Sequence, residues 1–151
     1  MIRMIFLSCL LAVASMAAAQ PVFPRHQLSI HGFRNPSIGI GYQHRQVSVH
    51  AGYYLTNFTS GVTTRFVKTG VSYWFAPVGR QEIPSAAYVG VSYLRGLSRD
   101  YTDLNAVAAE AGFRWVVWRG LDLRLGAILL AAPGQSPKLN PTPGISYSFT
   151  W

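Results

Sequence analysis

Two Ser-x-His sequences contain the residues of this chain best suited to covalent chemistry. Ser29 and His31 form one pair, and Ser48 and His50 form the other. Residues two apart on a strand point to the same face, so each histidine could act as a base for a serine nucleophile. The spacing of Asp100 and Asp103 does not favour either of them as the acidic partner of these pairs. We therefore expect a non-catalytic protein.

The spacing of the histidines and glycines does not indicate a metal site or a phosphate site. His31, His44 and His50 are spread over separate segments, without the short regular intervals of metal ligands. The stretch 39–41 (Gly-Ile-Gly) lies inside a strand-like segment and has no helix after it, unlike a phosphate-binding loop. We expect no cofactor and no metal, and we expect these histidines to fill interior space or to lie in turns.

The composition argues against a water-facing surface. The chain has 151 residues, of which 12% are charged and 50% are hydrophobic, with 13 Lys and Arg against 5 Asp and Glu. Soluble globular chains carry about 25% charged residues, and disordered chains are less hydrophobic than this one. The basic residues are not clustered on one face, and the sequence contains no nucleic-acid-binding motif. We therefore expect no nucleic-acid partner.

The first 19 residues have the pattern of a secretory signal peptide. Arg3 is followed by the apolar stretch 5–16 and by Ala17-Ala18-Ala19. That stretch is short for a membrane anchor, and small residues before Gln20 are typical of a cleavage site. We predict a cleaved signal peptide over 1–19 and a single domain over 20–151. The only cysteine, Cys9, falls within the predicted leader, so no thiol or disulfide chemistry is expected.

In the rest of the chain, side-chain polarity alternates with a period of two residues. Apolar and polar residues alternate in eight segments, most of them near the ~9–11 residues that a tilted strand needs to cross a bilayer. Turn-forming residues separate the segments, and an even number of antiparallel strands can close without an edge. The segments run over 28–31, 38–43, 47–55, 67–75, 87–93, 107–117, 121–129 and 143–151. The predicted fold is all-β, an eight-stranded antiparallel up-and-down barrel.

The polar residues of the alternating segments, called the polar row below, indicate which face of the strands points into the barrel. A soluble barrel would carry Lys, Glu, Asp and Gln on that row, whereas here it is mostly Gly and Ser. Glycine suits a narrow lumen, where larger side chains would collide. We therefore predict apolar residues facing outward toward lipid and a transmembrane barrel. The charged residues of both signs on the polar row predict a lumen network formed by Lys68, Glu110, Arg114, Asp122 and Arg124.

Aromatic residues cluster near the segment ends, as they do at membrane interfaces. They are Tyr42, Tyr53, Tyr54, Tyr73, Trp74, Phe75, Tyr93, Trp115, Trp118, Phe149 and Trp151. The chain ends on alternating apolar residues, Ile145, Tyr147 and Phe149, followed by a final aromatic residue, Trp151. This ending resembles the C-terminal insertion signal of bacterial outer-membrane barrel proteins.

Together these features resemble the small OmpA/OmpX-like eight-stranded outer-membrane barrels, at the level of architecture. The resemblance implies a bacterial, Gram-negative outer membrane as the location and the barrel assembly machinery as a partner. Basic residues in the connections are expected to meet outer-membrane lipid and lipopolysaccharide phosphates. The segments 56–61, 96–103 and 133–140 are expected to be outward-facing loops.

Three functions remain open from the residues. The favoured one is a non-enzymatic integral barrel with a structural or surface-interaction role and a lumen filled by side chains, which is not a general porin. A second is a lipid-modifying outer-membrane enzyme of the lipid A deacylase or acyltransferase kind. The sequence lacks the His-x-Ser-Asn motif of the deacylases. A third is a soluble periplasmic lipocalin-like barrel that binds an apolar ligand.

Overall fold

The described part of the chain forms strands connected mostly by short turns. A computed structural model describes residues 22–151, so the predicted signal peptide lies outside the described residues. One short 3-10 helix, Arg99–Tyr101, lies between the fifth and sixth strands. The strands are β1 (Gln27–Phe33), β2 (Ile38–His44), β3 (Val47–Thr59), β4 (Val62–Val78), β5 (Ser85–Gly96), β6 (Asn105–Trp118), β7 (Leu121–Ala131), β8 (Lys138–Pro141) and β9 (Gly144–Thr150).

These strands close into an eight-stranded antiparallel barrel, which confirms the predicted fold class. Each strand from β1 to β7 pairs with the next one, and β8 and β9 together form the eighth wall position, both paired with β7. The barrel closes where β1 pairs with β9, from Gln27 opposite Thr150 to Phe33 opposite Gly144. The break between β8 and β9 contains Pro143, whose missing N–H cannot contribute to a ladder.

Strands extend into two of the expected loops. The segment 56–61 was predicted as a loop, but β3 and β4 continue through it and leave only Ser60 and Gly61 in the turn. The segment 133–140 was also predicted as a loop, but its last three residues belong to β8 and pair with β7. The predicted bounds of both loops were therefore too wide, because polar and proline-containing sequence is tolerated at the end of a strand that has a paired neighbour.

The two ends of the barrel differ. The terminal end contains the start of β1 and the end of β9, together with the connections β2–β3, β4–β5 and β6–β7. The loop end contains the connections β1–β2, β3–β4, β5–β6 and β7–β8, and the 3-10 helix lies in the third of these. β4 has 17 residues and β6 has 14, whereas β1, β2 and β9 have seven each, so the wall is longer on the β3–β6 side.

Apolar side chains point out of the barrel and polar side chains point into it. Val49, Leu123 and Phe149 are 50%, 43% and 47% exposed. Lys68 and Asp122, on the polar row, are buried. This is the predicted orientation, and it is the reverse of a soluble barrel, which keeps its apolar row inside.

Glycines of the inward row lie where the interior has no room for a side chain. Gly112 and Gly126 face each other across β6 and β7, and the Tyr88 hydroxyl lies over both. A Cβ atom on Gly112 would be 2.9 Å from that hydroxyl and 2.6 Å from the Leu125 carbonyl oxygen. The same crowding, with an added Cβ closer than 3.0 Å to a neighbour, is found at Gly39, Gly52, Gly70, Gly90 and Gly126.

Replacing an inward glycine should therefore be costly. We expect Gly112→Val to lower the free energy of unfolding by about 1–3 kcal/mol, since the added atoms overpack the interior. The matched control is Ala111→Val on the outward face of the same strand, where the side chain is exposed. Denaturant titration in detergent, followed by gel migration of unheated samples, measures both. Equal stability of the two variants would contradict the crowding argument.

Candidate functional site

The lumen is stratified into apolar and polar layers. At the loop end an apolar cluster fills the interior, with Tyr101 of the 3-10 helix packed against Phe66 at a ring-centroid distance of 5.3 Å. At the terminal end a smaller cluster contains Phe23, Trp74, Ala86 and Tyr88. Polar and charged side chains lie within the barrel between these clusters. The loop-end cluster is formed by Tyr54, Phe66, Leu94, Tyr101, Ala106, Ala108, Ile128, Leu130 and Ala132.

A buried ion pair joins β4 and β6. The Nζ atom of Lys68 lies 2.6 Å from Oε1 and 2.7 Å from Oε2 of Glu110. It also donates a hydrogen bond of 2.8 Å to Oδ1 of Asn35, whose Nδ2 donates to Glu110 Oε2 at 3.1 Å. Asn35 comes from the β1–β2 connection, which therefore folds inward. Both charges are fully hydrogen-bonded, which a buried ion pair requires.

His50 joins this network through a serine. Ser92 donates its hydroxyl hydrogen to Oε1 of Glu110 at 2.5 Å, and His50 Nε2 lies 3.2 Å from the same hydroxyl oxygen. Because the single hydroxyl hydrogen of Ser92 goes to Glu110, the N–H of His50 is the donor to Ser92. A histidine that donates to a serine cannot also accept the proton of that serine.

Arg114 is held against an aromatic ring. Its guanidinium carbon lies 4.2 Å from the centroid of the Trp74 ring, within the range of a cation–π contact. Its two terminal nitrogens donate to Gln43 Oε1 and to the Pro84 carbonyl oxygen, both at 3.3 Å. Both acceptors are neutral, and the Nε atom of Arg114 is buried without a hydrogen-bond partner.

Arg124 lies directly across the ladder from Arg114. Its Nη2 donates to Nδ1 of His31 at 2.6 Å, which places the ring proton of a neutral His31 on Nε2. Asp122 is 3.8 Å from Arg124 Nε, too far for a hydrogen bond. The Asp122 carboxylate instead accepts hydrogen bonds from the hydroxyls of Ser146 and Ser148.

The terminal end of the lumen is closed by two chain segments. Phe23, before β1, is buried beside Trp74, and Ile83 and Pro84 of the β4–β5 connection are also buried. Within the barrel a small cavity of about 30 Å³ is lined by His31, Arg114 and Arg124 among others. A space of this size holds one or two molecules the size of water.

The five charged residues predicted to lie in the lumen are all found inside the barrel. Lys68, Glu110, Arg114 and Asp122 are buried in the barrel, and Arg124 is mostly buried there. They form two groups rather than one, because Lys68 pairs with Glu110 while the two arginines lie opposite each other on β6 and β7. His44 is exposed, and neither Ser-x-His pair forms an internal hydrogen bond. Ser48 accepts from the indole N–H of Trp74, and Ser29 bonds to Gln27 and Ser148.

Two amide side chains and one indole side chain of the network were not predicted from the sequence. Asn35, Gln43 and Trp74 bond to Glu110, Arg114 and Ser48 respectively. Trp74 and Tyr54 were predicted to lie in the interfacial belt, but both are buried inside the barrel. The alternation does indicate an inward direction for both rings, because each occupies a polar-row position between two outward-facing neighbours.

The C-terminal residues form the closing strand. Ile145, Tyr147 and Phe149 of β9 are exposed on the outer face, and the rings of Tyr147 and Phe149 are 5.0 Å apart. Trp151 follows β9 and stacks on His26 at a centroid distance of 5.9 Å. These residues therefore lie at the seam where the barrel closes.

The fold defines the class of this protein, a closed eight-stranded antiparallel β-barrel. No family model, curated protein or solved structure shows significant similarity to the chain. Over residues 22–151, no helix is long and apolar enough to cross a membrane. In the same range, no group of three or more His, Cys, Asp and Glu side chains is arranged to hold a metal ion.

The Lys68–Glu110 pair should be important for stability. We expect Lys68→Met to lower the free energy of unfolding by about 3–5 kcal/mol, because it leaves a buried carboxylate without its cation. The double variant with Glu110→Gln should recover most of this loss, and a double-mutant cycle measures the coupling.

An exposed ion pair supplies the control for this experiment. Arg95 and Asp103 are 2.8 Å apart, with side chains 41% and 83% exposed. Asp103→Asn should cost at most ~1 kcal/mol, since exposed pairs contribute little. A Lys68→Met barrel as stable as the Asp103→Asn barrel would show that the buried pair does not hold the lumen together.

Proposed function

We propose that this protein is an integral bacterial outer-membrane β-barrel with a non-enzymatic structural or surface-interaction role. The observation that carries the proposal is the exposed apolar outer surface around a polar interior. Soluble monomers rarely expose large contiguous apolar patches, whereas side chains such as Ile40, Val71, Val91 and Leu125 cover the outside of this barrel. Contact with lipid removes that surface from water.

The outward aromatic residues support the same proposal. Near the terminal end, Tyr42, Tyr73, Trp115 and Trp118 are exposed, whereas Tyr93 lies near the loop end. Tyr93 is opposite Val107, which precedes Trp115 by eight residues on β6. Eight residues rise ~26 Å along a strand, or ~20 Å along the membrane normal at a tilt of ~40°. That span is comparable to the apolar band of an outer-membrane barrel.

The filled lumen supports a role other than general porin activity. Apolar clusters lie near both ends, and the polar layer is occupied by bonded side chains. An aqueous channel needs more strands than eight, because barrel diameter grows with strand number. We propose that conductance in planar bilayers is absent or far below that of a porin.

The proposed partners follow from charge and from the closing strand. Arg34, Arg65 and Arg99 at the loop end and Arg80 at the terminal end are exposed, and they would meet lipopolysaccharide phosphates or phospholipid head groups. Ile145, Tyr147, Phe149 and Trp151 are proposed as the signal read by the barrel assembly machinery. Export would depend on the leader 1–19.

The hydrogen bonds of the lumen favour a non-enzymatic role. A serine nucleophile needs a neighbouring base that accepts its proton. Ser92 instead directs its hydrogen to Glu110, and Ser48 accepts from Trp74. Asp100 and Asp103 lie in the exposed β5–β6 connection, away from the polar layer. A lipid A mass spectrum that differs between cells with and without the protein would contradict this part of the proposal.

Membrane integration can be tested by fractionation. We expect the protein to stay with outer membranes after washing with high salt and sodium carbonate, and to be released only by detergent. Unheated protein in detergent should migrate faster on a gel than heated protein, since the closed barrel stays folded. Release by carbonate would refute integration and favour a soluble barrel.

A charge on the outer face should impair insertion. Leu125→Arg places a cation near the middle of β7, on a face where an arginine at the bilayer midplane costs about 2–4 kcal/mol. We expect a several-fold lower yield of folded barrel in vesicles. Gln81→Arg, in the exposed β4–β5 connection, is the control and should insert like the natural protein. Equal yields would contradict a lipid-facing position for Leu125.

A further inference from the structure

We propose that the lumen binds a monatomic anion, chloride under physiological conditions, in the cavity lined by Arg114 and Arg124. The inference depends on the interior alone and does not require that the barrel span a membrane. It starts from the charges enclosed by the wall. Three cations, Lys68, Arg114 and Arg124, face two carboxylates, Glu110 and Asp122.

The surplus positive charge cannot be removed by losing a proton. Lys68 Nζ contacts three acceptor oxygens, two on Glu110 and one on Asn35, at 2.6–2.8 Å. Two of these contacts are hydrogen bonds, and the third is the short distance to the second oxygen of the same carboxylate. A carboxylate in direct contact favours the charged form of an ammonium group, so Lys68 keeps its proton. Arginine remains protonated in proteins. Protonating Glu110 or Asp122 would only increase the imbalance.

The two carboxylates do not offset both arginines. Glu110 accepts hydrogen bonds from Lys68, Ser92 and Asn35, and from neither arginine. Arg114 and Arg124 therefore share Asp122, which hydrogen-bonds to serine hydroxyls rather than to either guanidinium. Like charges directly opposite each other on paired strands are destabilising.

The arginines also have donors without acceptors. Arg114 is 2% exposed, and its Nε atom has no hydrogen-bond partner. The same is true of the Nε atom of Arg124. A buried donor without an acceptor costs free energy, most of all on a charged group. An anion beside these guanidinium groups would supply both the missing acceptor and the missing charge.

The cavity limits the size of the anion. It measures about 30 Å³, and its lining includes Arg114, Arg124, His31 and the hydroxyl-bearing side chains Ser29, Ser72 and Tyr88. A halide is larger than a water molecule but is a single compact sphere, and it accepts hydrogen bonds from several directions. Gluconate, which is a bulky organic anion, is too large for this space. The structure therefore favours halides over larger anions.

The first test compares thermal unfolding of the detergent-solubilised barrel in sodium bromide and in sodium gluconate at equal ionic strength. A ligand of the folded state raises the unfolding midpoint by mass action. We expect bromide to raise the midpoint of the natural protein by about 3 °C or more. Arg124→Gln, which brings the interior to charge balance, should remove the rise. Arg80→Gln, an exposed arginine outside the lumen, should keep it.

Two results of this test would overturn the proposal: no bromide-specific rise in the natural protein, or an equal rise in Arg124→Gln. A second measurement covers the case in which Arg124→Gln fails to fold. Crystals of the natural protein grown in sodium bromide should show an anomalous bromide peak within hydrogen-bonding distance of the Arg114 or Arg124 guanidinium. Bromide peaks confined to the outer surface would refute a lumen site.

Discussion

The narrow interior of a barrel with only eight strands is the constraint on which the rest of this structure depends. The interior of such a barrel is about wide enough for side chains to meet across it. Glycine therefore recurs on the inward row, where Gly39 faces Gly52 and Gly112 faces Gly126. The space freed at these positions is used by large side chains from elsewhere, such as Tyr88 over the second pair.

A charge in this enclosed space is costly unless its hydrogen bonds are complete. Lys68 and Glu110 meet that requirement with the help of Asn35 and Ser92. Arg114 uses an aromatic face and two neutral acceptors instead. The ion pair thus links β4, β6 and the β1–β2 connection, elements far apart along the chain, and so contributes to a specific closed arrangement rather than to stability alone.

Alternation of polar and apolar residues was sufficient to predict the wall. It requires only that neighbouring side chains on a strand point to opposite faces, and it located the core of each wall segment from β1 to β7 and β9. The composition of the two rows then predicted which face is inside. Strand ends were predicted less well: β3 and β4 extend to a two-residue turn through 56–61, because pairing with a neighbour overrides local turn propensity.

The contents of the lumen were only partly predictable. The five charged residues of the polar row could be named, since any charge on an inward row must lie inside. Their partners could not, because the shear of a closed barrel decides which residues of different strands lie at the same height. Asn35 is an example: its segment has the composition of an exposed turn, yet its amide bonds to Glu110.

The sequence by itself determined the strand number, the antiparallel order and the exchange of polar and apolar faces, since each depends on local alternation and turn chemistry. Only the tertiary structure decided that Lys68 neutralises Glu110, that Asn35 bonds to the same carboxylate, and that Arg114 packs against Trp74 and bonds to Gln43. These contacts depend on the register between strands that are far apart in the sequence. That register is fixed when the first and last strands pair, and no local sequence pattern indicates it.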